Sequence, residues 1–74
     1  MDLEADLKKE IEKWSLRLEE ELKKSEIKDD HFRKNIHAYV QDSAYFERKG
    51  DLIKAFEALI WAWAYLEIYR EMKD

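Results

Sequence analysis

Apolar residues recur along this chain in three series, each at helical spacing. The first is Leu3, Leu7, Ile11, Trp14, Leu18 and Leu22, with steps of four, four, three, four and four. That period gathers them on one face of an α-helix spanning about residues 2–24. Glu4–Lys8, Glu19–Lys23 and Glu20–Lys24 are placed as i,i+4 pairs on its polar side, where each adds about 0.2–0.5 kcal/mol. Leu16 falls off the stripe. A polar connector, KSEIKDD, comes next, in which Asp29 or Asp30 is suited to cap the second helix. The second series is Phe32, Ile36, Tyr39, Ser43 and Phe46, widened by Val40, and predicts a helix over about 30–49.

That helix ends on Lys49-Gly50-Asp51. Gly50 is the only glycine, and it stands where a helix C-terminus takes a left-handed residue without steric cost. Arg48 and Lys49 suit the negative end of the helix dipole, and Asp51 can cap the third helix. So short a reversal makes the second and third helices an antiparallel hairpin. The third, over about 52–72, carries the stripe Leu52, Phe56, Leu59, Trp63 and Leu66, with small Ala55 and Ala62 beside it. No turn-bounded alternating segment suggests a strand. The pattern predicts an all-α, up-and-down three-helix bundle, one domain over 1–74.

The third helix has more apolar positions than one face can hold. At about 100° per residue, Trp61, Tyr65, Ile68 and Met72 fall roughly opposite its main stripe, while Ile53, Ala58, Ile60 and Tyr69 fall on the flanks. A helix that is apolar all round is normally interior to something larger. One reading is a skewed bundle in which Trp61 packs under the first helix and only Tyr65 and Met72 reach solvent. The other makes Trp61, Tyr65, Ile68 and Met72 a docking patch for a protein partner or for a second copy, with a symmetric homodimer the simplest form. Aromatic residues and methionine are enriched in interface cores.

Composition narrows the setting. Seventy-four residues bury little core, and ten aromatics among them compensate. Charged residues make up 43% of the chain, with no proline and no cysteine, a Lys/Glu-rich bias that fits a heat-adapted source. The net charge of −4 argues against nucleic acid as a partner. The amino terminus is acidic and has no apolar signal-peptide core, and the apolar run at 59–66 is too short to span a bilayer. The expectation is a cytoplasmic protein without a membrane partner.

Chemistry is hard to find. His31 and His37 are six residues apart and point to different sides of a helix, so no metal site or cofactor is expected. Ser15, Ser25 and Ser43 have no base at a telling spacing, and Ser43 sits on an apolar face where a small residue permits close packing. A single glycine cannot build a phosphate loop. The one polar constellation is Tyr39, Asp42 and Tyr45 on the second helix, near the Gly50 turn. It can bridge the hairpin by hydrogen bonds or line a small polar pocket.

The stretch AYVQDSAYFERKGDLIKAFEALIWAWAYLEI, residues 38–68, is similar to a family of short archaeal proteins known as domain of unknown function 357. Tyr39, Asp42, Tyr45-Phe46, Gly50-Asp51, Ala55 and the aromatic run through Trp61 and Trp63 carry the resemblance. It implies a three-helix up-and-down bundle in an archaeal cytoplasm and brings no catalytic residues. The Tyr-Phe-x-x-x-Gly-Asp-x-x-x-Ala pattern also resembles the hairpin of tetratricopeptide repeats, a likeness of turn chemistry in a chain with no repeat. The expectation is a non-enzymatic interaction or structural module that uses the aromatic patch on the third helix. The alternative is a ligand-binding or accessory catalytic bundle with its site at Tyr39, Asp42 and Tyr45.

Overall fold

The computed structural model describes residues 2–73. Helix α1 spans Leu3–Lys24, α2 Asp30–Arg48 and α3 Leu52–Lys73, and the expected boundaries agree to within a residue. Each start is capped by an aspartate. The Asp2 carboxylate accepts from the Glu4 and Ala5 amides, Asp29 from Phe32 and Asp51 from Lys54, which satisfies donors that a first turn leaves free. Among the described residues there is no strand.

The α2–α3 reversal closes as the Gly50 signal requires. The Asp51 amide donates to the Phe46 carbonyl at 2.9 Å and the Gly50 amide to Glu47 at 3.0 Å, the two bonds of a Schellman cap. Gly50 has φ +82°, the only positive φ among the described residues. A Cβ added there would meet nothing within 4 Å, so the cost of Gly50→Ala is purely conformational. The variant should lose about 1 kcal/mol in urea titrations with unchanged helix content. A loss several times larger would mean that the turn is held by contacts absent from this structure.

The core is one cluster: Ile11 and Leu18 from α1, Ile36 from α2, and Ala55, Leu59, Ala62 and Leu66 from α3. More than half of it comes from α3, which is the central element. Helices α2 and α3 lie close along most of their length, whereas α1 packs chiefly on α3 and less intimately. The difference comes from side-chain size. Along the α2–α3 seam stand Ser43, Ala55, Ala58 and Ala62, all buried, and small residues let helix axes approach. Ser43 does more than leave room, because its hydroxyl donates to the Ala55 carbonyl across the seam at 2.8 Å.

The α1–α3 contact is built instead on bulk. Trp14 and Trp63 meet edge to face with centroids 5.9 Å apart, and the Trp63 indole N–H donates to the Trp14 carbonyl at 3.3 Å. At the far end Arg70 donates to Glu21 at 2.7 Å and to the Ser25 hydroxyl at 3.0 Å. The Tyr69 hydroxyl accepts from the Lys28 amide at 3.0 Å. The last turns of α3 therefore tie down both the end of α1 and its connector.

Two expectations need correction. The pairs Glu4–Lys8, Glu19–Lys23 and Glu20–Lys24 do not close; α1 forms Glu10–Lys13 and Glu21–Lys24 at i,i+3 instead, at 3.5 and 3.7 Å. These are solvent-facing pairs that contribute little, so the sequence pattern does not decide which one forms. Leu3 fits the α1 stripe but is 80% exposed, because the first turn of α1 has too little of the bundle opposite it to cover the side chain.

Candidate functional site

The side of α3 that turns away from the bundle carries most of the exposed large hydrophobic side chains among the described residues. Among the described residues eight large hydrophobic side chains are exposed, and five of them stand on α3: Ile53, Ile60, Trp61, Ile68 and Met72. They fall within roughly 120° of arc and extend over about 28 Å of helix. Ala64 lies at the middle of this stripe. Met72 is 69% and Trp61 55% exposed, so Trp61 does not pack under α1 as a skewed bundle would require.

Trp61 leans on α2. Its ring stacks on Tyr39 with centroids 6.2 Å apart and 20° between planes. Tyr39 stacks in turn on Tyr65 at 5.5 Å, Tyr65 meets Phe32 at 6.0 Å, and Phe32 meets Tyr69 at 5.6 Å. Five rings drawn alternately from α3 and α2 thus make one file along the seam. Contacts of this kind add about 0.5–1.5 kcal/mol beyond area burial, and they hold the Trp61 indole as a fixed shoulder beside the apolar stripe.

Of the four residues expected in a docking patch, Trp61, Ile68 and Met72 share the exposed face, whereas Tyr65 is half-buried in the file of rings. The polar constellation does not assemble. Tyr39 joins Trp61 and Tyr65, Asp42 is exposed on α2, and Tyr45 turns edge-on to Phe46 with the Lys49 amine 5.5 Å from its ring. Sequence reasoning puts Ile53 and Ile60 on the flanks of α3. The structure puts them in the open, because α1 covers the Phe56 and Trp63 side of α3 and stops short of them.

Two recesses border this face where α1 and α3 meet. One, of about 820 Å³, is lined by Leu3, Leu7, Leu52 and Ile53 with Glu4 and Asp6. The other, of about 380 Å³, is lined by Trp14, Phe56, Leu59, Ile60, Trp63 and Glu67. On the rim of the second, the Trp14 indole donates to Glu10 at 3.0 Å, and the Arg17 guanidinium lies 4.8 Å above its ring.

The family model described as a protein of unknown function (DUF357) matches residues 4–73. The chain belongs to the DUF357 family. A crystal structure of a DUF357 protein from Archaeoglobus fulgidus is similar to it, with a TM-score of 0.89 and 49% identity over 97% of this chain and 93% of that one. No curated protein matches the sequence. Membership brings a shared three-helix fold, and the activity of DUF357 proteins is unknown.

Elsewhere this DUF357 chain offers little titratable chemistry. The hydrogen bond from Arg70 holds the Glu21 carboxyl below the usual carboxylate range, outweighing the upward push of burial. Among the described residues no three His, Cys, Asp or Glu side chains converge as metal ligands, and His31 and His37 are both exposed on α2. No described helix is long and apolar enough to cross a membrane.

Proposed function

We propose that this DUF357 protein is a non-enzymatic docking module that works by presenting the outward face of α3 to another protein. One observation supports the reading above all. The bundle-facing side of α3 is already filled by Ala55, Leu59, Ala62 and Leu66, yet Ile53, Ile60, Trp61, Ile68 and Met72 still line the opposite side. Exposed large apolar side chains gathered on one face, here interrupted by Glu57 and Glu71, are the usual mark of a surface covered in the working state. The Trp61 indole, already fixed against Tyr39, would lose little conformational freedom on binding, as an interface anchor should.

A photo-crosslinking residue in place of Ile68, in the cells that naturally make the protein, tests this. It should yield a discrete protein adduct, and the same residue in place of the exposed Glu12 on α1 should not. Equal labelling from both positions, or none from Ile68, would overturn the reading.

A further inference from the structure

The two recesses lie in line along the α1–α3 boundary. From the first to the second, both walls advance by the same amount, from Leu7 to Trp14 on α1 and from Ile53 to Ile60 on α3. Seven residues of helix are about 10 Å, or two turns. An amphipathic helix laid along the boundary presents apolar side chains at i and i+7 with that spacing, the usual register of a helix in a groove.

The charges beside the groove are mostly of one sign. Glu4, Asp6 and Asp51 border the first recess against Lys49, and Glu67 borders the second. On the outward face of α3 next to them stand Glu57 and Glu71, with Lys54 the only amine. The Lys54 amine already lies 3.9 Å from Asp51 and 5.6 Å from the Phe46 ring. Lys13 and Arg17 lie against Trp14 and offset part of this charge at one point only. A second copy of the chain, related by a two-fold axis, would bring the Glu57, Glu67 and Glu71 carboxylates toward the same acidic face of its partner across an interface only about 8–10 Å between axes, where like charges are poorly screened.

Building on the docking reading, we infer that the α1–α3 groove receives a basic amphipathic helix of a partner protein. Two apolar anchors of that helix, seven residues apart, enter the recesses at Ile53 and Ile60. Its Lys or Arg flanks face Glu4, Asp6, Glu57, Glu67 and Glu71. Apolar anchors supply the affinity, and the carboxylates select against acidic and self partners.

Two synthetic helical peptides with the same leucines at i and i+7, one flanked by lysine and one by glutamate, test this on the full chain. Binding is followed by amide NMR shifts and tryptophan fluorescence. The lysine peptide should shift the amides around Leu7, Ile53 and Ile60 and bind at least about tenfold more tightly than the glutamate peptide. Ile60→Lys should weaken it by about tenfold or more, whereas Leu16→Lys, the same change off the groove, should leave it alone. The triple variant Asp6→Lys, Glu57→Lys, Glu67→Lys should reverse the preference between the peptides. Equal binding of the two peptides, shifts that map elsewhere, or equal effects of the two lysine substitutions would overturn the inference. A two-chain mass in light scattering, with concentration-dependent shifts at these same amides, would overturn it in favour of a second copy and leave the docking reading standing. Failure of both peptides together with a silent crosslinker at Ile68 would remove both.

Discussion

Leu59→Ala should destabilise the protein by about 2–5 kcal/mol, the range for emptying a closed core site. Leu59 is 2% exposed and stands where the three helices meet. Leu18 on α1 and Val40 and Ser43 on α2 share one small recess with it, and Trp14 on α1 and Phe56 on α3 share another. No neighbour can relax into the gap without leaving another helix. For a domain of this length the total stability is only on the order of 4–11 kcal/mol, so the variant should lose a large share of it and unfold at a much lower urea concentration. Ile60→Ala, one residue on but facing outward, should cost well under about 1 kcal/mol. Urea titrations of the two variants separate the cases, and similar midpoints would mean that α3 is rotated from the orientation described.

Ala55→Leu should be nearly as damaging for the opposite reason. Ala55 is fully buried on the α2–α3 seam, and its carbonyl accepts the Ser43 hydroxyl at 2.8 Å. Three added carbons have nowhere to go except between the helix backbones. Overpacking of this kind costs about 1–3 kcal/mol, and parting the helices also forfeits the Ser43 bond, worth about 1 kcal/mol more. Ser43→Ala isolates that second contribution. Ala64→Leu, the same change on the outward face, serves as the control and should be close to neutral. A loss at Ala64 equal to that at Ala55 would argue that the outward face is already packed against something.

The contrast between Ala55 and Ala64 marks where the sequence can be read and where it cannot. Helix boundaries, the hairpin and the main stripe obey local rules: a period near 3.6, aspartates before each helix, and one glycine where the backbone must turn left-handed. Leu59 and Leu66 can be placed in the core for that reason. The Ser43–Ala55 hydrogen bond cannot, because it depends on the register between two helices, which periodicity does not specify. The same gap hides Ile53 and Ile60. Spacing puts them on a flank, and whether a flank is covered depends on how far α1 reaches around α3. Spacing also separates Trp61 from the core stripe, in agreement with the structure, but it groups the partner of Trp61, Tyr39, with Asp42 and Tyr45 instead. Aromatic stacking between helices is set by side-chain rotamers and crossing geometry, neither of which is written in the spacing of either helix alone.

The Gly50 reversal also has a consequence in time. It joins the two most intimately packed helices through a hydrogen-bonded cap, so that Ser43 and Ala55, twelve positions apart, meet after closing a very small loop. Loops that short close in tens of nanoseconds, and helical proteins dominated by such near-sequence contacts fold in microseconds to milliseconds. With no proline in the chain, no slow prolyl isomerisation delays that search. The arrival of α1 is expected to be slower, since its contacts with α3 close a loop that includes the whole of α2. The glycine that gives the hairpin its shape should therefore also favour an order of events, α2 and α3 pairing before α1 docks, which would show as higher φ-values at Ser43 and Ala55 than at Ile11 and Leu18.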